Sequence, residues 1–154
     1  MKKIILGLLV FTMCLTTIFS QYTYVHAEET SDIDIPFEEL MTENALIGYS
    51  NAGTWGVYYG SGVSIINDSG GGKIGWGGST YAAKRCKVTV NAIVERYTGT
   101  SWVRVTSATN TREDSFTATV SKLTLVGSGY YYRVRCNHFA ATDVGYSSTD
   151  ALRM

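Results

Sequence analysis

The run Cys86-Lys87-Val88-Thr89-Val90-Asn91-Ala92-Ile93-Val94-Glu95-Arg96-Tyr97-Thr98-Gly99-Thr100-Ser101-Trp102-Val103-Arg104-Val105 decides the fold class. Cys86, Val88, Val90, Ala92 and Val94 alternate with Lys87, Thr89, Asn91, Ile93 and Glu95, the period of two expected of a half-buried strand. Thr98-Gly99-Thr100-Ser101 then forms a four-residue hairpin loop, and Trp102-Val103-Arg104-Val105 returns as the partner strand. In that register Tyr97 faces Trp102, Glu95 faces Arg104 and Val94 faces Val105. An aromatic pair and an opposite-charge pair share one face and valines the other, so the cross-strand contacts support one another.

Downstream, Asn110 to Asp114 reads as a turn. Phe116, Ala118 and Val120 alternate with threonines, and the phase changes at Ser121-Lys122, where a bulge or bend is expected. Tyr130, Tyr132, Val134 and Cys136 fall on one face of the next strand and are expected in the core. Tyr131, Arg133, Arg135 and Asn137 fall on the other. Ser147 to Leu152 is a candidate last strand. Upstream, residues 45–82 hold eleven of the sixteen glycines. Trp55-Gly56-Val57-Tyr58-Tyr59, Val63-Ser64-Ile65-Ile66 and Lys73-Ile74-Gly75-Trp76 stand between them as short strands. Gly70-Gly71-Gly72-Lys73 lacks the leading glycine spacing and the Ser/Thr of a phosphate loop and reads as a turn. No helix-period segment of useful length follows residue 27. The expected fold is all-β: an antiparallel β-sandwich or a small barrel, residues 45–154.

The N-terminus has a different character. Lys2-Lys3, the apolar run Ile4–Ile18 and Val25-His26-Ala27 make the three parts of a secretory signal, with cleavage expected after Ala27. The apolar run is shorter than the ~20 residues of a membrane span. Signal 1–27 is followed by an acidic, flexible leader, 28–44, in which Pro36 to Met41 can form one helical turn. Residues 28–72 hold eight acids and no Lys or Arg, whereas residues 73–154 hold eleven basic residues against five acids. The leader is therefore either a solvated linker or a segment that folds back on the basic face. Export also changes the cysteine arithmetic. Cys14 leaves with the signal, and Cys86 with Cys136 is expected to form a disulfide, worth roughly 4 kcal/mol by loop closure.

The stretch from Leu123 through Gly127-Ser128-Gly129 to Tyr130-Tyr131-Tyr132-Arg133-Val134-Arg135 resembles the end of an immunoglobulin-like or fibronectin-type-III-like sandwich. The resemblance implies that Tyr130 is the corner tyrosine whose hydroxyl bonds back to the turn. Cys86 and Trp102 also stand at the immunoglobulin Cys-to-Trp spacing. The second cysteine, however, follows Tyr130 by six residues where immunoglobulins have two, so the likeness is one of architecture. A second resemblance covers about residues 74–150. Gly78-Ser79-Thr80-Tyr81-Ala82, the Val94-to-Trp102 hairpin and the Gly129-to-His138 strand look like small exported proteins of Firmicutes of unknown function. This implies export from a Gram-positive bacterium and a β fold, and supplies no mechanism.

Chemistry is sparse. His138 is the one histidine after residue 27, and it reads as structural. No nucleophile elbow supports a Ser-His-Asp site, no metal-ligand spacing is visible, and Glu95 is expected to be spent on Arg104. Neither catalysis nor a cofactor or metal is expected. The chain's eleven tyrosines and three tryptophans suggest binding instead. The candidate ligand-binding residues are Tyr97 and Trp102, with Arg104, Tyr131, Arg133 and Arg135; Trp55, Tyr58, Tyr59 and Trp76 have no clear placement. The expected partners are an extracellular glycan, a cell-wall polymer or a protein, with a secreted antibacterial or toxin-like role as the alternative. Export and the modest charge excess argue against nucleic acid.

Overall fold

The computed structural model describes residues 32–50 and 56–154; the expected signal, Cys14 and Trp55 lie outside them. The elements are β1 (Ile33–Asp34), a 3-10 turn (Phe37–Leu40), β2 (Leu46–Ser50), β3 (Tyr59–Gly70), β4 (Lys73–Tyr97), β5 (Trp102–Leu125), β6 (Tyr131–Ala140), β7 (Asp143–Ser148) and β8 (Leu152–Arg153). Every pairing is antiparallel. Among the described residues no helix is long and apolar enough to cross a membrane.

A straight strand of 25 residues would run about 80 Å. β4 instead folds double. The Thr80 hydroxyl donates to the carbonyl of Thr89 at 2.9 Å, although nine residues separate them. β5 folds with it, and Asn110 Nδ2 reaches the Thr119 carbonyl at 2.7 Å. The β4–β5 ladder is interrupted between Tyr81 and Val88, and Asp114 opposite takes a φ of +43°. Arg85 pins the bend by donating to the Asp114 carbonyl and facing its carboxylate at 3.4 Å. Strands that bend at bulges and pass from one layer to the other make the corners of such a sandwich. One layer has the order β1-β5-β4-β3-β2, using residues 73–81 of β4. The other is β5-β4-β6 with β7 and β8 beyond, using residues 88–97 of β4. The sheet does not close into a barrel.

The core lies between these layers. Ile66, Ile74 and Trp76 of the first meet Val88, Val90, Ala92, Val94, Tyr132, Val134 and Cys136 of the second. The Trp76 indole N–H donates to Thr124 Oγ1 at 2.5 Å, so the largest buried side chain leaves no polar atom unpaired. The layers close on glycine: a Cβ at Gly62 would lie 2.5 Å from the His138 ring, and one at Gly78 would fall on the Cys136 sulfur. Gly71 and Gly72, with φ of +61° and +73°, make the tight β3–β4 turn, a conformation that suits glycine.

The hairpin register holds at Tyr97↔Trp102 and Glu95↔Arg104 but slips one residue later, where Val94 pairs with Thr106 rather than Val105. The turn expected at Asn110–Asp114 is the corner at Asp114 inside one continuous strand, whereas the bulge or bend expected at Ser121-Lys122 is absent, since both residues pair in step with Gly77 and Trp76. The short strands read within 55–66 and 73–76 belong to the longer β3 and β4, and the expected last strand divides into β7 and β8.

The disulfide is not formed. Both cysteines are free thiols. Cys136 pairs with Ala92 across the β4–β6 ladder, whereas Cys86 lies beyond the Val88 end of that ladder, itself about 13 Å from Ala92 at strand rise, in the corner opposite Ser115. A bridge needs Cα atoms within about 7 Å. The corner tyrosine is Tyr132, whose hydroxyl donates to the Gly127 carbonyl at 2.9 Å. Tyr130 is 43 % exposed, and the Arg96 guanidinium stacks on its ring at 4.6 Å.

The described part of the expected leader, Asp32 to Asn44, is docked rather than flexible. β1 pairs with the end of β5 (Ile33↔Leu123, Asp34↔Lys122). The Asp32 carboxylate accepts from Thr106 at 2.8 Å and from Thr124 at 2.5 Å, tying both halves of β5 together. The expected helical turn forms and buries Leu40 completely, and Asn67 Nδ2 holds the Leu40 carbonyl at 2.9 Å. The segment covers the outer face of the first layer, not the arginine-rich face of the second.

Candidate binding face

Alternation along β4, β5 and β6 sends one residue set inward and the other to solvent. On the outer face of the second layer the rows across β5, β4 and β6 are Trp102–Tyr97, then Arg104–Glu95–Arg133, Ser107–Ile93–Arg135 and Thr109–Asn91–Asn137. Tyr131 ends the first row and pairs with Arg153 of β8. All of the candidate ligand residues, Tyr97, Trp102, Arg104, Tyr131, Arg133 and Arg135, therefore stand together at one end of this face.

Their contacts differ from a simple hairpin pairing. The Tyr97 and Trp102 rings are 5.3 Å apart and tilted at 45°. The Arg133 guanidinium stacks on Trp102 at 4.2 Å. Glu95, 7 % exposed, does not bond Arg104, its neighbour in register. Its carboxylate takes Arg133 at 2.7 and 2.8 Å and Arg135 at 3.3 Å. The fork of Arg133 matches a carboxylate geometrically while its flat face suits an indole. Arg104 turns the other way and donates to the Ser107 hydroxyl. The Arg153 guanidinium lies 6.0 Å from the Tyr131 ring.

Sequence reasoning missed Arg153 and the polar ladder in which Asn137 Nδ2 donates to Asn91 Oδ1 (3.1 Å) and Asn91 Nδ2 to Thr109 Oγ1 (2.7 Å). The outward phase of Asn91 and Asn137 was visible, but nothing local says that β6 lies beside β4. Beyond the ladder, Phe139, Val144 and Tyr146 are 38, 41 and 67 % exposed. Of the aromatics left unplaced, Trp76 and Tyr59 are core and Tyr58 is exposed at the start of β3. A separate cleft of about 340 Å³ opens where both layers end on β5, between Asp34, Asn110, Thr119 and Lys122. It contains no aromatic side chain.

His138 is fully buried in mid-strand. Its Nδ1 is 2.8 Å from the Thr80 hydroxyl and its Nε2 2.8 Å from the Ser147 hydroxyl. Thr80 spends its own proton on the Thr89 carbonyl, so Nδ1 carries the hydrogen and Nε2 accepts from Ser147. The Ser147–His138 spacing suits a nucleophile and base, but the third partner is a neutral hydroxyl and water has no access. Burial lowers the His138 pKa to about 4 and pushes the Cys136 thiol up to about 12. The Asp143 carboxyl is held below its usual range by the backbone N–H groups of Tyr58 and Tyr59, a cap that ties β7 to the start of β3.

No family model, no curated protein and no solved structure matches the chain.

Proposed function

We propose that the protein is an exported, non-catalytic binding module that recognises an extracellular polysaccharide or cell-wall polymer through the outer face of its second layer. The observation that carries this reading is the convergence of three aromatic and three arginine side chains, drawn from β4, β5, β6 and the strand ends beside them, on one solvent-facing surface. A flat β-surface needs no cleft to hold an extended polymer. Aromatic rings supply area, and arginines and amides supply directed hydrogen bonds. The signal-like first 27 residues support export. Phe139, Val144 and Tyr146 favour one further reading, in which the same face meets a protein surface.

The test is retention of the purified protein on insoluble polysaccharides and Gram-positive cell wall, with tryptophan fluorescence in parallel. Saturable retention that Trp102→Ala and Tyr97→Ala abolish, without loss of the thermal transition, is the expected result. Retention untouched by either change would place the binding surface elsewhere. No retention on any wall or glycan, with capture of a defined protein instead, would transfer the face to the second reading.

A further inference from the structure

The charges of the described surface are not evenly matched. Lys87 meets Glu113 at 2.8 Å, Lys122 meets Asp34 at 2.9 Å and Arg85 meets Asp114 at 3.4 Å. At the aromatic end of the second layer, by contrast, Arg104, Arg133, Arg135 and Arg153 share the face with the single carboxylate of Glu95. These arginines are not equivalent. Arg133 is committed twice: its Nε and Nη2 go to Glu95, and its flat face lies on Trp102. Arg135 offers Glu95 one nitrogen at 3.3 Å, and its side chain is 48 % exposed. Arg104 is exposed and touches only a hydroxyl among its hydrogen-bond partners.

Resting on the reading above, we infer that the ligand of this face is a linear anionic glycopolymer, bound by Arg104 and Arg135 and positioned by Arg133. Arg104 and Arg135 flank β4 from opposite sides and are offset by one outward row, which sets their Cα atoms about 12 Å apart at ordinary strand spacings. One small anion meets one of them; an extended chain carrying repeated acidic groups meets both. The Thr109–Asn91–Asn137 ladder lies across the same strands and offers neutral donors and acceptors to hydroxyls between the acidic groups. Trp102 gives one ring face to Arg133, so the arginine spreads the aromatic platform and fixes Glu95, which in turn orients Arg135. Arg133 is thus a positioning residue. Uronate carboxylates and polyol phosphodiesters present the same chemistry to a guanidinium.

Affinity electrophoresis of the purified protein through gels containing polygalacturonate, poly(glycerol phosphate), a neutral glucan or single-stranded poly(dT) separates the possibilities. Retardation by polygalacturonate, poly(glycerol phosphate) or both is expected, with none by the glucan, and about a tenfold loss of affinity between 50 and 200 mM salt. Which of the two acts identifies the acidic group as carboxylate or phosphodiester. Arg135→Ala and Arg104→Ala should each weaken binding several-fold and flatten the salt dependence. Arg133→Lys, which keeps the charge, should weaken binding with an unchanged salt dependence and a shifted tryptophan emission. Glucan binding indifferent to salt and to Arg135→Ala would overturn the anionic ligand while leaving a glycan-binding module in place. Retardation by poly(dT) alone, or by none of the four polymers, would overturn the inference outright.

Discussion

Lowering the pH from 7.5 to 4.5 should destabilise the protein through one side chain. His138 is neutral in the folded state because burial holds its pKa near 4 against a usual 6.5. An unfolded chain takes up a proton near pH 6.5, so between those values it binds more protons than the native state. Stability is therefore complete above pH 6.5, falls as pH drops towards 4, and loses nothing more from this group below that. One proton sets a slope of at most about 1.4 kcal/mol per pH unit, and the whole window is worth about 3 kcal/mol. Against a domain stability of about 5–15 kcal/mol that is a large share. Asp143 acts in the same direction, but its carboxyl is held below 3.8, so its loss comes at lower pH. Urea unfolding followed by tryptophan fluorescence at pH 7.5, 6.5, 5.5 and 4.5 measures the slope. His138→Gln should be less stable at pH 7.5 and lose the slope between 6.5 and 4.5. An equal slope in both proteins would refute the reasoning. If the variant does not fold, the imidazole resonances of the wild type decide: a His138 ring titrating between pH 6 and 7 refutes it as firmly.

Three further outcomes follow from the packing. In native protein Ellman's reagent should find Cys86 and not Cys136, both should react in denaturant, and a reductant should leave the melting temperature unchanged; a reductant-sensitive transition would contradict the free thiols. Leu40→Ala should cost about 2–5 kcal/mol by emptying a completely buried site, whereas Glu39→Ala next to it should fall within about 0.5 kcal/mol, as compared by denaturant midpoints. Glu95→Ala should cost about 1–2 kcal/mol, less than a deeply buried pair because Arg133 and Arg135 retain access to water, and should alter near-ultraviolet circular dichroism through Trp102.

The period-two runs made the strands legible. Val88 to Val94 and Tyr132 to Cys136 point inward as their alternation requires, and the Tyr97–Trp102 end of the hairpin keeps its register. The corner was misread because Asn110 to Asp114 carries the composition of a turn, and a bulge that folds a continuous strand uses the same residues. The cysteines misled because each occupies an inward or core-contacting position; what separates them is that Cys136 lies midway along the β4–β6 ladder and Cys86 beyond its end, in the corner opposite Ser115. The leader misled because its acids suggested solvent, whereas Asp32 and Leu40 find their partners on strands some 30 to 90 residues later. Of the binding face, the residue types could be named from the sequence. The exchange of Glu95 from Arg104 to Arg133 and Arg135 could not, since it takes place between strands that only the tertiary fold makes neighbours.

The doubled β4–β5 hairpin has a consequence for how the molecule can be divided. Each layer borrows half of the same two strands, and in the first layer those halves, residues 73–81 of β4 and 117–125 of β5, lie on opposite sides in sequence of the whole β4–β5 part of the second. Fragments divided at the corner would not behave as half-sized modules: one would expose a flank of β4 at residues 73–81, the other both flanks of β5 at residues 117–125. A protease acting at the exposed corner around Lys84 and Arg85 would put those two strands of the first layer on separate fragments while leaving the strands of the second layer on one. Nicked there, the molecule would hold its first layer together only by the hydrogen bonds and packing between the two pieces, not by the chain.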